Sequence, residues 1–128
     1  GRPDPPGETL QTLIGSDPDD SRRMAVPGVE GRTAITHYAV ERAVGRWTLV
    51  RVRIETGRTH QIRVHLAYRG FPVVGDRVYG RAREGADDPA VDRQMLHAHR
   101  IRFRHPTTNE WLEFTAPLPP DFARWLDG

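Results

Sequence analysis

The residues best suited to chemistry are gathered in one stretch, Glu55-Thr-Gly-Arg-Thr-His-Gln-Ile-Arg-Val-His-Leu-Ala67. It places Arg58, His60, Gln61, Arg63 and His65 around what reads as a strand-to-helix turn. Free backbone N–H groups and the positive end of the helix dipole meet at such a turn, so cationic and amide side chains there favour an anion. By themselves these residue types define a phosphate or carboxylate site and no more. A metal centre fits poorly. His60 and His65 are too far apart in sequence to share a helix face in the manner of an HExxH pair, and His97 and His99 share a strand face without a third ligand at matching spacing. No metal ligand is therefore assigned. The sequence has no cysteine, which excludes a disulfide scaffold, Cys-ligated zinc and a thiol nucleophile. Ser16 and Ser21 are its only serines, and neither sits in a nucleophile elbow.

The elements that must hold this stretch follow from periodicity. Residues 1–31 carry Pro3, Pro5, Pro6, Pro18 and Pro27 and read as a mostly irregular entry segment, with Leu10, Leu13 and Ile14 as a short anchor. Thr33 to Val40 is rich in β-branched and aromatic residues. Val44-Gly45-Arg46 is a turn, and Trp47 to Ile54 sets Val50, Val52 and Ile54 on one face against Arg51 and Arg53 on the other. Gly57 ends that strand. Thr59 reads as the N-cap of a helix over His60 to Tyr68 that Gly70 stops, with Ile62 and Leu66 as its buried edge. Phe71 to Asp76 is a short extended piece and turn in which Asp76 caps locally. Arg81 to Pro89 reads as a polar, acidic loop. Ala98 to Arg104 alternates again, a turn over His105 to Glu110 follows, and Trp111 to Thr115 is its partner strand. Pro119-Pro120-Asp121 opens a helix through Trp125 and Leu126. The tryptophans read as core or edge-packing residues. The expected fold is one α+β domain over residues 1–128, with a mixed, mostly antiparallel sheet and flanking helices.

Composition narrows the function. At 128 residues the chain is one domain's worth, and 37% apolar with 28% charged residues is a globular composition. No apolar run approaches a membrane span, so a soluble, cytoplasmic protein with no membrane partner is expected. All 19 basic residues are arginine. Between Arg42 and Arg69 seven arginines face a single acid, Glu55, and Arg93 to His105 adds four more with no acid. Residues 84–92 and the tail from Pro106 are acidic. Two basic blocks of this kind suit a polyanion, and arginine's planar fork suits phosphate. The competing reading is that these arginines are solvated strand faces.

ETGRTHQIRVHLA, with Gly-Asp-Arg-Val-Tyr-Gly downstream, closely resembles the RluA-type family of pseudouridine synthases. Ile14 to Val26, Ala34 to Tyr38, Asp92 to Ala98, Phe103 to Glu110 and Phe114 to Pro119 resemble further family segments in the family's order. Within the family the segments are most similar to the type that modifies large-subunit ribosomal RNA. The resemblance implies a cofactor-free isomerisation of uridine in RNA, in which an essential aspartate is paired with an arginine that corresponds to Arg63. Leu96 corresponds to an apolar residue lining the uracil pocket, and Arg58, His60 and Gln61 would stand at its mouth near substrate phosphates.

Two family features are missing. The catalytic aspartate belongs to a His-Arg-Leu-Asp segment upstream of every matched segment, and this sequence contains no such string. The active-site tyrosine of an Arg-Glu-Tyr-Leu-like strand is also absent, and Tyr38 lies in a later strand. The chain therefore reads as the C-terminal part of a catalytic domain. It would bind RNA, require the missing N-terminal half as partner, and be inactive alone. The alternative is a non-catalytic RNA-binding module derived from the family.

Overall fold

The computed structural model describes residues 1–80 and 93–127. These fall into two compact units, Gly1–Gln94 and Met95–Gly128. The acidic loop expected at Arg81 to Pro89 lies outside the described residues.

The first unit is a four-stranded antiparallel sheet in the order β2-β1-β3-β4 with one helix. Its elements are β1 (Gly7–Ser16), β2 (Met24–Ala25), β3 (Val29–Val44), β4 (Trp47–Ile54) and α1 (Gln61–Tyr68). The long β1 corrects the expectation of an irregular segment over residues 1–31. Its prolines bracket a proline-free run in which Leu10, Thr12 and Ile14 alternate inward, opposite Thr36, Ala34 and Arg32 of β3. Punctuation by proline was visible in the sequence; pairing with a distant strand was not. At the end of β1 the backbones of Gly15 and Gly28 approach so closely that a Cβ on Gly28 would stand 2.2 Å from Gly15. The hairpin of β3 and β4 forms as its alternation requires, turning at Gly45 with φ +59 between paired Val44 and Trp47.

Helix α1 packs on the face of the sheet that carries Ala34, Thr36 and Tyr38. Ile14, Ala34, Val64 and Tyr79 form a buried cluster, with Met24, Val26, Ala67 and Val78 against it. Two details of the helix depart from expectation. Its N-cap is His60, in the left-handed region at φ 55, with no side-chain cap, so Thr59 does not cap it. Its buried residues are Gln61, Val64, His65 and Leu66, whereas Ile62 is only half-buried. A polar network within the fold selects that face. The C-terminus ends as expected: Gly70 takes φ 91, its N–H bonds Ala67, and Phe71 N–H bonds Leu66. That is a Schellman arrangement, which a glycine at this position permits.

The second unit is an antiparallel hairpin of β5 (Arg100–Arg104) and β6 (Trp111–Thr115), followed by α2 (Pro120–Asp127). Residues 98 and 99 precede β5 instead of joining it. There His97 Nε2 and His99 Nδ1 both lie within bonding distance of the Ala116 carbonyl, at 3.1 and 2.8 Å. Trp111 is 54% exposed, so it is not a core residue. The α+β, mostly antiparallel class stands.

Candidate functional site

The motif stretch separates into residues that turn inward and residues that form a site. Gln61 and His65 turn inward. Gln61 Oε1 accepts from Thr56 Oγ1 at 2.7 Å and Arg58 N–H at 3.0 Å, while Nε2 donates to the Ile35 carbonyl and to Thr36 Oγ1, both at 3.0 Å. Every bonding position of this amide is used within the chain, and the residue is 3% exposed. Its expected place at a pocket mouth is therefore corrected: Gln61 pins the turn to β3. His65 is fully buried, with Nδ1 2.7 Å from Thr36 Oγ1 and Nε2 2.7 Å from Thr12 Oγ1. Because Gln61 donates to Thr36, the Thr36 hydroxyl can donate to Nδ1 and Nε2–H can donate to Thr12. Burial pushes the imidazole pKa below its ordinary value, which keeps it neutral.

Arg63 and His60 remain on the other side, and the fold brings Asp76 and Tyr79 to them. Arg63 grips Asp76 with both arms of its fork, Nε to Oδ2 at 2.8 Å and Nη2 to Oδ1 at 2.9 Å. Asp76 Oδ1 also accepts the backbone N–H groups of Val78 and Tyr79, each at 3.1 Å. The local cap expected of Asp76 is present, and the ion pair is added to it. Burial alone would raise the Asp76 pKa, but the Arg63 hydrogen bonds, the two N–H groups and the guanidinium charge outweigh it and hold the carboxyl below its ordinary value. The same hydrogen bonds raise the pKa of Arg63. Arg63 Nη1 makes no hydrogen bond to the described residues, so that side of the fork can take a further oxyanion.

Tyr79 closes the cluster. Its ring lies under two guanidiniums, Arg23 at 5.0 Å and Arg63 at 5.3 Å from the centroid. Its hydroxyl accepts Met24 N–H at 2.9 Å and meets His60 Nδ1 at 2.9 Å. Burial, then the charge of Arg63, pushes the His60 pKa down, which favours a neutral imidazole accepting the Tyr79 proton. The left-handed backbone of His60 is costly for a non-glycine residue. It is held by Gln61 on one side and Tyr79 on the other. Arg58 is half-buried, with Nε donating to the Thr33 carbonyl at 2.9 Å. Leu96 lies in the second unit, half-buried in the residues that lead to β5. Among the described residues no group of three His, Asp or Glu side chains is arranged to hold a metal ion. No helix among them is long and apolar enough to cross a membrane.

Asp76 and Tyr79 are the site residues that sequence reasoning missed as partners. A signal existed: Asp76 is the only acid between Glu55 and Glu84, in a segment that carries six arginines. A lone carboxylate in such company requires a cationic partner.

With this geometry established, comparison with known proteins is informative. The family model for RNA pseudouridylate synthase matches residues 3–68. The chain belongs to that family. It is 50% identical over 121 residues to an uncharacterised RNA pseudouridine synthase of Chloroflexus aurantiacus, covering 94% of this chain and 37% of that protein. It is also 50% identical over 102 residues to the ribosomal large subunit pseudouridine synthase D of Vibrio cholerae, covering 73% of this chain and 32% of that one. The chain thus spans about a third of the length of these curated relatives. Among solved structures it resembles human RNA pseudouridylate synthase domain containing 4, with a TM-score of 0.68 over 98% of this chain and 57% of that one. At 23% identity that likeness speaks for the fold.

Proposed function

We propose that this chain is the arginine-bearing part of an RNA pseudouridine synthase catalytic domain acting on large-subunit ribosomal RNA in the cytoplasm, and that alone it does not turn over. The observation that carries the reading is the pair of Arg63 and Asp76. Asp76 accepts four hydrogen bonds, is 2% exposed, and is held ionised as a structural anion. So committed, it is not available to attack a sugar or to take a proton. Among the described residues nothing bonds Arg63 Nη1, which suits the carboxylate of an aspartate brought by a His-Arg-Leu-Asp segment in a longer chain or a partner.

The reaction breaks the bond between uracil N1 and ribose C1′, turns the base, and forms the bond from C5 to C1′. The C5 hydrogen leaves as a proton and N1 takes one up. No electrons are gained or lost, so no redox cofactor is required. In this proposal Arg63 orients the incoming aspartate and keeps it ionised, Leu96 lines the uracil pocket, and Arg58 and His60 contact substrate near the phosphates. The base must leave its stack at a cost of about a few kcal/mol, which phosphate contacts by the arginine blocks offset.

The test is tritium release from RNA labelled at uridine C5, with this chain in stoichiometric excess. The expected result is no release from the chain alone and release once the upstream half is added. Release by the chain alone would overturn the assignment of Asp76 as structural. Silence even with the upstream half would leave the non-catalytic RNA-binding module. In the complete enzyme, Arg63→Ala is expected to abolish turnover while weakening RNA binding far less. Equal losses would make Arg63 an ordinary phosphate contact.

A further inference from the structure

The second unit has two unlike faces. Ile101, Phe103, Leu112 and Phe114 share one, with the rings of Phe103 and Phe114 stacked at 5.9 Å. Arg100, Arg102 and Arg104 share the other with Thr115, Glu113 and Trp111, which are their respective cross-strand partners. On that second face Arg100 is paired with Glu113 at 3.3 Å. Arg102 and Arg104 have no carboxylate partner among the described residues. Instead both guanidiniums lie on the indole of Trp111, at 4.7 and 4.8 Å from its centroid.

We infer that this face is a contact surface for the sugar–phosphate backbone of single-stranded RNA, read by Arg102 and Arg104 and organised by Trp111. The inference rests on the proposed action of this protein on RNA and adds a contact carried by the second unit. Three physical points carry it. First, a guanidinium resting on an aromatic face uses that face and leaves its edge N–H donors free, and those edge donors form bidentate bonds to phosphate. Second, residues two apart on a strand project about 6.7 Å apart on one face, a separation comparable to that of neighbouring phosphates along an extended strand. Third, the face carries three arginines against one acid, Glu113, so its charge complements a polyanion. A solvated surface has no need of a large exposed indole that carries two cations. A phosphate-binding surface does, because the ring restricts two flexible side chains before the ligand arrives and so lowers the entropy lost on binding.

The test is fluorescence anisotropy of the full 128-residue chain with a labelled, uridine-rich single-stranded RNA, repeated over a series of salt concentrations. Arg102→Gln with Arg104→Gln is expected to weaken binding about tenfold and to reduce the salt slope by about 1.4, the share of two phosphate contacts. Arg2→Gln with Arg22→Gln, which removes the same charge from exposed positions outside both arginine blocks, is expected to change affinity less than about twofold. Trp111→Ala keeps every charge and is expected to weaken binding severalfold, whereas Trp111→Phe restores most of it. All these side chains are exposed, and cooperative melting of each variant confirms its fold. Equal effects of the two arginine pairs, or no effect of Trp111→Ala, would overturn the inference alone. Failure of the unaltered chain to bind RNA would also overturn the inference, whereas the function on which it rests falls only if tritium release stays absent with the upstream half added.

Discussion

Arginine is used in two opposite ways in the two units. In the first, Arg63 of α1 has its fork closed on a buried carboxylate that two backbone N–H groups also hold. In the second, Arg102 and Arg104 rest on an exposed tryptophan, with no carboxylate among the described residues. Both place a guanidinium near an aromatic ring, since Arg63 also lies 5.3 Å from the Tyr79 centroid. The difference is the anion. Where the fold supplies one, the arginine is structural along the edge of its fork that meets the carboxylate. Where the fold supplies none, the whole edge remains available, at little cost because water solvates it. The same residue type thus contributes stability in one unit and presents a charged surface in the other.

That contrast makes graded predictions. The largest effect belongs to Asp76→Ala, which strands Arg63 with an unpaired, largely buried charge. Urea denaturation is expected to show a loss of about 3–5 kcal/mol, and a loss below 1 kcal/mol would mean that the pair is no more than a surface bridge. Next is Gly28→Ala. The added methyl must displace the Gly15 backbone at the end of β1, and a loss of about 2–3 kcal/mol is expected in the same assay. A neutral outcome would show that β1 is not anchored where the sheet requires.

Acid should act on the first unit before the pair itself protonates. The pKa of buried His65 is lowered in the fold, so between its unfolded and folded values the unfolded chain binds the proton and the native chain does not. Stability is therefore expected to fall as pH drops below about 6.5, and His60 adds to it in the same direction. His65→Gln should flatten this part of a Tm-versus-pH series. An unchanged slope would assign it to other groups. Asp76 contributes later, because its lowered carboxyl pKa keeps the pair intact until pH falls below the ordinary carboxylate range. The smallest effect is that of Arg102→Gln, expected to shift stability by no more than about 0.5 kcal/mol. A much larger loss would make the hairpin arginines structural and erase the contrast.

Much of this was legible in the residues. Alternation defines β3, β4, β5 and β6 because the strand period is two, which sends alternate side chains to opposite faces. Gly70 marks the helix end because only a residue without a Cβ takes φ 91 there without strain. The family could be read from a short motif. Other features could not. β1 hid between prolines because a half-polar run such as Thr9 to Ile14 becomes a strand only when β3 lies beside it. The motif's residues looked alike in sequence, but the helix rotates Gln61 and His65 into the sheet and leaves Arg63 and His60 outside it. Thr59 is a good capping residue by type, yet the Gln61 amide already ties down the Arg58 N–H and Thr56.

Sequence by itself determined the family, the class of fold and the chemistry on offer: arginine as the sole strong cation, and one acid in the middle of the motif region. Tertiary structure decided which of these groups are spent and which remain free. Hydrogen-bond satisfaction of buried polar atoms is a property of three dimensions. It joined Asp76 to Arg63 and took Gln61 and His65 out of the site, while strand pairing brought Arg102 and Arg104 onto the exposed ring of Trp111.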